Sequence, residues 1–179
     1  MNDFPAAGEP RCSDCSAVTD LRIRAARADD AADLLVCKRD AILAINHDAY
    51  DADQLAAWAP DGRDLGAFET ALDGDEYEVR VAERAGAIVG YAVLNRASGT
   101  IDAVFVDPDH ARSGVGRQLV GVLETTASVA GLDTLSVAAS LNARAFYADL
   151  GYEPIERTTR TFDDHSVPVV RMRRSLAAC

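Results

Sequence analysis

Apolar and polar residues alternate from Leu21 to Ala25, and this two-residue period predicts a short strand with one buried face. Asp29 and Asp30 follow, and carboxylates are favoured at the positive end of a helix dipole. Beyond them, apolar residues recur every three or four positions as far as His47. The pattern therefore predicts one strand and then one long helix.

Two shorter helices are predicted next, at Gln54–Trp58 and at Asp64–Leu72. The segment 60–62, Pro-Asp-Gly, ends the first of them, and Gly74 ends the second. These three helices should pack against the strands that follow.

A meander of three strands comes after the helices. Alternating residues at Glu76–Glu83 and Ala87–Leu94 form a hairpin across the turn 84–86. A second turn at 97–99 leads into a strand from Ile101 to Val106. Because short turns join these strands, we expect them to be antiparallel neighbours.

The last third of the chain mixes helices and strands. Leu119, Val122, Leu123 and Thr126 mark one face of a helix that ends near Gly131. The elements predicted after it are a strand at Leu135–Ala138, a helix at Leu141–Leu150, and a hairpin of Tyr152–Phe162 with Pro168–Arg173 across Asp163-Asp164. The sequence predicts an α/β (α+β) fold with a mixed, mostly antiparallel sheet of about seven strands flanked by helices.

The turn between the Ile101–Val106 strand and the following helix contains Gly114 and Gly116. The free N–H groups of a helix's first turn favour an anion, and glycines allow it to approach the backbone closely. A P-loop is excluded because Lys38 is the only lysine in the chain. A dinucleotide fingerprint is excluded because Leu119 stands at its third glycine. The turn alone also fits a connection that binds no ligand.

Two groups of residues strengthen the evidence that this turn binds a ligand. The first is Val106, Pro108, Gly114 and Gly116. The second is Asn142, Ala145, Phe146, Tyr147, Gly151 and Tyr152, with Phe-Tyr set closer to Ala145 than in the strict pattern. Together they resemble the A and B motifs of the GNAT superfamily, the acyl-CoA-dependent N-acyltransferases. The sequence departs from the A motif at Ala111, where the family most often has Arg or Gln, and Arg112 is the adjacent basic residue.

The resemblance implies a GNAT fold whose fourth and fifth strands splay apart, with acetyl-CoA as cosubstrate and no metal. Pantetheine would pair with the backbone of Phe105 and Val106, and Asn142 would hydrogen-bond the cofactor. Helix capping is the alternative role for Asn142. The pyrophosphate would bind the backbone N–H groups of Arg112, Ser113, Gly114, Val115, Gly116 and Arg117.

The resemblance also implies an N-acetyltransferase in which the amine attacks the thioester directly. Tyr147 would be the general acid that protonates the leaving thiolate. Asp102 would be the general base, with a solvated strand-edge carboxylate or a water chain as alternatives. Tyr50 and Trp58 would roof the acceptor site, although core packing explains them equally well. A second function remains open, a non-catalytic acyl-CoA-binding or sensor protein with the same fold.

Composition narrows the choice of partners. The 179 residues contain 29 acidic and 18 basic side chains, a net charge of −11, and arginine replaces lysine almost completely. This composition favours adaptation to concentrated salt, as in a halophile, with a high-GC genome as the alternative. A nucleic acid partner is disfavoured because the phosphate backbone requires a basic face. The acceptor is expected to be a small-molecule amine or a protein amine, and a homodimer is left open.

Location, domain limits and cysteines complete the expectations. The sequence has no apolar run of membrane-spanning length and no signal region, so we expect a cytoplasmic protein without a membrane partner. Residues 1–20 are predicted to be a flexible tail, and 21–176 a single domain. Cys12 and Cys15 lack a second ligand pair, so no metal site is predicted. His47 is interpreted either as a pocket base or as a helix-end cation.

Overall fold

The computed structural model of the chain describes residues 21–46, 48–162 and 164–176. Its strands are β1 (Arg22–Ala25), β2 (Tyr77–Arg84), β3 (Ala87–Asn95), β4 (Thr100–Val106), β5 (Thr134–Ser140), β6 (Glu153–Phe162) and β7 (His165–Ser175). Its helices are α1 (Ala31–Leu43), α2 (Ala52–Trp58), α3 (Leu65–Asp73), α4 (Val115–Val129) and α5 (Arg144–Asp149). The elements follow the predicted order.

Two helices are shorter than predicted. The first helix ends at Leu43 instead of continuing to His47, and α5 is shorter than the predicted helix Leu141–Leu150. In each case the chain turns before the apolar pattern ends, and the remaining apolar side chains pack from loops. Ile45 packs beside Ile42, for example, although it lies beyond the helix.

The strands form one sheet in the order β1-β2-β3-β4-β5-β7-β6. Every neighbouring pair is antiparallel except β4 and β5, which are parallel. This confirms the predicted meander of β2, β3 and β4. The parallel pair is held by only two registered positions, Thr100 with Ser136 and Ile101 with Val137. Beyond Ile101 the two strands diverge, and a gap opens in the middle of the sheet.

One face of the sheet is covered by α4 and α5. Val115, Leu119, Leu123 and Ala127 recur along α4 and are all buried against this face. The predicted positions Val122 and Thr126 are only half-buried. The helix is therefore rotated slightly from the predicted orientation, because Val120 and Ala127 also face the sheet.

The other face is covered by α1, α2 and α3. Leu34 and Cys37 of α1 pack on Val81 and Tyr91 of the sheet. A smaller cluster centred on Ile42, Tyr50, Leu55 and Val167 joins α1 and α2 to β7. The gap between β4 and β5 consequently lies between two helical layers.

Several predictions fall on positions outside the described residues. They are the tail 1–20 with Cys12 and Cys15, the histidine His47, and Asp163 in the turn between β6 and β7. Over the part of the chain that is described, none of the helices combines the length and apolarity needed to cross a membrane.

Candidate functional site

The N-terminus of α4 has no side-chain cap. Gly114 is the N-cap residue, with a left-handed φ of 86°, and the first helical hydrogen bond runs from the Gln118 N–H to the Gly114 carbonyl at 3.1 Å. The N–H groups of Val115, Gly116 and Arg117 precede that bond and therefore have no acceptor within the helix. Together with the helix dipole they form a site suited to an anion.

The loop before α4 is held by its own hydrogen bonds. The Asp109 N–H donates to Asp107 Oδ1 at 2.9 Å, and the Ser113 hydroxyl donates to the His110 carbonyl at 2.6 Å. Arg112 adopts a left-handed φ of 58° and is exposed. The Ser113 hydroxyl is thus used by the turn, which leaves its backbone N–H and the Arg112 guanidinium for a ligand.

The two glycines of the turn differ in their surroundings. A Cβ on Gly116 would lie 3.3 Å from Phe146 Cζ and 3.6 Å from Val106 Cγ2. A Cβ on Gly114 would meet nothing within 4 Å. Gly116 therefore lets α4 approach α5 and β4 closely. Gly114 provides the left-handed turn and leaves open space in front of the free N–H groups.

The unpaired edge of β4 lies beside this turn. The Asp107 N–H donates to the Val89 carbonyl of β3 at 3.0 Å. Because backbone N–H groups alternate sides along a strand, the Val106 N–H is turned the opposite way, toward the gap. Phe105 registers with Tyr91 of β3. Phe105 and Val106 are the two residues predicted to pair with pantetheine. Val106 is the one whose N–H faces the gap, as this pairing requires.

Asn142 lies at the other side of the gap, just after β5. Its side chain is exposed, and α5 begins with Ala143 as an N-cap that has no side-chain hydrogen bond. The helix-capping alternative for Asn142 is therefore not found in the structure. Its amide group is available to a ligand in the gap.

Tyr147 is a buried residue of α5. Its ring packs edge-on against Phe146 at a centroid distance of 5.0 Å and against Tyr152 at 5.5 Å. Among the described residues, nothing hydrogen-bonds its hydroxyl. Burial raises the pKa of Tyr147 well above its usual value, so the phenol keeps its proton at neutral pH.

Asp102 lines a cavity of about 270 Å³ between the sheet and the helices α1 and α3. It is the first residue of β4 beyond the last pairing with β5. Burial raises the pKa of its carboxyl group, and the nearby charge of Arg160 opposes that shift. An aspartate in such surroundings is a stronger proton acceptor than one in water.

Lys38 lines the same cavity, and sequence reasoning missed it. It follows Leu34 by four positions on the core-facing side of α1. Its Nζ lies 5.6 Å from the ring centre of Phe68 and 6.0 Å from that of Phe105. Burial lowers the pKa of Lys38. The available signal was the chain's only lysine placed within an apolar helical stripe.

Tyr50 and Trp58 lie on the same side of the sheet. The Tyr50 hydroxyl donates to the Pro168 carbonyl at 2.7 Å and accepts from the Leu141 N–H at 2.8 Å. Trp58 stacks on Phe162 at 6.0 Å and meets Phe105 edge-on at 6.3 Å. The hydrogen bonds of Tyr50 give it a structural role, whereas Trp58 reaches the strand that borders the gap.

Within the described residues, no three His, Cys, Asp or Glu side chains come together to form a metal-binding group. The candidate site consists of a helix terminus with free N–H groups, a gap in the sheet, and a cavity with one acid and one amine.

Both the sequence and the structure of the chain are similar to those of known acetyltransferases. Residues 46–176 match the family model of the acetyltransferase (GNAT) domain. A GCN5-related N-acetyltransferase from Rhodopseudomonas palustris has a similar structure, with a TM-score of 0.81 and 30% identity over 87% of this chain and 95% of that one. No curated protein sequence matches the chain.

Two more distant structures share the fold and were determined with a ligand. PaiA N-acetyltransferase from Thermoplasma acidophilum, in complex with coenzyme A, has a TM-score of 0.73 and 12% identity over 87% of this chain and 99% of that one. YncA from Salmonella typhimurium, with acetyl-CoA, has a TM-score of 0.65 and 22% identity over 89% of this chain and 96% of that one.

Proposed function

Because this chain belongs to the GNAT acetyltransferase family, we propose that it transfers an acetyl group from acetyl-CoA to an amine. The observation that carries the proposal is the uncapped N-terminus of α4, which lies next to the gap between β4 and β5. This arrangement offers N–H donors to a pyrophosphate and an unpaired strand edge to an extended amide chain.

The residues present fit acetyl-CoA. The N–H groups of Val115, Gly116 and Arg117 would bind the pyrophosphate, with Arg112 adding charge from the loop. The Val106 backbone would pair with the pantetheine, and the exposed amide of Asn142 would bind it from the opposite side. A Cβ on Gly114 would meet nothing within 4 Å, which agrees with an open approach to this turn.

The thioester of acetyl-CoA supplies an activated acetyl group, and the chain's residues position the amine and move protons. Asp102 would accept a proton from the attacking ammonium, since its burial makes it a stronger base. Tyr147 would donate its proton to the departing thiolate. A new amide bond forms as the thioester bond breaks, and CoA leaves as a thiol.

The first experiment measures acetyl-CoA binding by calorimetry on the parent chain and on Gly114→Val. A β-branched residue in the left-handed region costs about 1–3 kcal/mol, so the turn should move away from the geometry that binds the pyrophosphate. We expect the dissociation constant to rise by at least about tenfold, which corresponds to about 1.4 kcal/mol.

Gly121→Ala is the matched control. Gly121 also lies in α4, and a Cβ there would meet nothing within 4 Å. This variant should bind acetyl-CoA normally. Unchanged binding by Gly114→Val would place the cofactor elsewhere. Binding without CoA release in the presence of any amine would favour the non-catalytic acyl-CoA sensor instead.

A further inference from the structure

Among the residues that the structure describes, Asp102 and Lys38 are the charged side chains that line one cavity. The rest of its lining is aliphatic and aromatic, such as Leu34, Phe68 and Tyr91, and comes from α1, α3 and the strands β2 to β4. A volume of about 270 Å³ is small for a ligand site, and such a cavity suits a compact molecule. Because Asp102 and Ala103 belong to β4 just past its last pairing with β5, the cavity lies against the strand that borders the gap.

Lys38 forms no ion pair with Asp102 or with any other carboxylate among the described residues. Its ammonium contacts the faces of the Phe68 and Phe105 rings. Asp64, at the start of α3, raises the pKa of Lys38 from a distance, and Arg160 of β6 lowers it. A partly buried ammonium that forms no ion pair is costly unless an anion joins it.

We propose that the acceptor is a small amine that also carries a carboxylate, with the carboxylate bound to the ammonium of Lys38 and the amine directed to Asp102. This inference rests on the proposed function and names the substrate class for the same site. The apolar lining would hold the hydrophobic body of an amino acid or a similar zwitterion. Opposite charges at Lys38 and Asp102 match the two charges of such a molecule.

A monoanion fits this cavity better than a phosphate. Among the described residues, the lining provides one positive charge, that of Lys38. Of the charges that act on the cavity from nearby, Asp64 and Glu76 are negative and Arg160 is positive, so the negative charges outnumber the positive one. A phosphate dianion would therefore keep an uncompensated negative charge in a mostly apolar space. A carboxylate is neutralised by the single ammonium.

The first test uses the fact that Lys38 is the only lysine in the chain. In protein labelled with ¹³C at the lysine Cε, one side-chain NMR signal reports on this site without any catalysis. With CoA present, L-leucine should shift the signal and raise the pKa of Lys38, because the carboxylate stabilises the ammonium. L-leucinamide has the same shape but lacks the negative charge, and it should cause neither change.

The second test compares acetylation rates of the same two amines. We expect the parent chain to prefer leucine over leucinamide by about 10–100-fold in kcat/KM, the range of a charge-assisted hydrogen bond. Lys38→Met keeps the apolar stem and removes the charge, so the ratio should fall close to one. Arg39→Met is the control, since Arg39 is an exposed cation on the same helix, and it should preserve the preference. Thermal unfolding checks that both variants are folded.

The outcomes separate the two proposals. If acetyl transfer proceeds with equal rates for leucine and leucinamide, the inference is wrong and the acetyltransferase activity stands. Equal NMR shifts with both ligands would also overturn it. If the chain acetylates the aminophosphonate analogue of leucine faster than leucine, the proposed recognition of a carboxylate is wrong and the site prefers a phosphate-like group. If acetyl-CoA neither binds nor reacts, the proposed function fails and the inference fails with it.

Discussion

At the scale of single residues, the environment of Tyr147 determines what its hydroxyl can do. Its ring packs between Phe146 and Tyr152, which fixes the position of the phenol. Burial raises its pKa, so the phenol stays protonated at neutral pH and is a weaker acid than an exposed tyrosine. Its hydroxyl has no hydrogen-bond partner among the described residues, which leaves the donor available to a ligand.

Tyr147→Phe should separate chemistry from binding. The ring and its packing remain, so the free energy of unfolding should change little. The chemical step should slow by about 10²–10⁴-fold, the usual contribution of a positioned general acid. Affinity for acetyl-CoA should stay nearly unchanged, since the interaction is made only in the transition state. Single-turnover acetylation and calorimetry measure the two quantities. If the variant transfers acetyl groups at the parent rate, Tyr147 contributes only to core packing.

At the scale of elements, the hydroxyl of Tyr50 joins two segments that are distant in sequence. It donates to the Pro168 carbonyl of β7 and accepts from the Leu141 N–H that follows β5. The residue itself precedes α2, so one side chain links three parts of the fold around the gap. This arrangement fixes the segment before α2 relative to β7 and the end of β5.

Tyr50→Phe should destabilise the protein by about 1–3 kcal/mol, because it leaves a carbonyl and an N–H without their partner. Urea unfolding measures this change. Tyr152→Phe is the matched control, since the Tyr152 hydroxyl lies beside the Glu124 carboxylate, which is itself paired with Arg174 at 2.7 Å. Removing this hydroxyl leaves no backbone group without its partner, so the loss should be smaller than for Tyr50→Phe. Equal effects of the two substitutions would contradict the linking role of Tyr50.

At the scale of the whole molecule, acidic side chains outnumber basic ones. Arg24 pairs with Asp30 at 2.7 Å, and Arg80 pairs with Glu78 at 2.6 Å. Some of the arginines therefore form partly buried ion pairs. The excess of carboxylates gives a net charge of −11. Their mutual repulsion opposes the compact state in dilute buffer.

Thermal stability should therefore rise as KCl increases from dilute to molar concentration. At 1 M salt the screening length is about 3 Å, which suppresses repulsion among exposed carboxylates while affecting the partly buried pairs less. Differential scanning calorimetry over a KCl series measures the midpoint. A flat or falling midpoint would favour genome composition as the origin of the acidic, arginine-rich sequence.

Local patterns in the sequence determined most of the elements and the chemistry of one turn. Alternation and helical spacing are consequences of which side of each element is buried, so they are visible in any window of the chain. Gly114 could be identified from the sequence because glycines before a helix let an anion approach its first N–H groups closely. The two matched motifs supplied the family, and with it the expectation that β4 and β5 diverge.

Only the tertiary structure decided which distant residues meet. Lys38 and Asp102 share a cavity because α1 lies across β4, and no local period records that contact. Tyr50 owes its structural role to partners near the other end of the chain. Gly116 owes its packing role to Phe146 of α5. These roles depend on how the helices are rotated and placed on the sheet, which is set by the sum of many side-chain contacts.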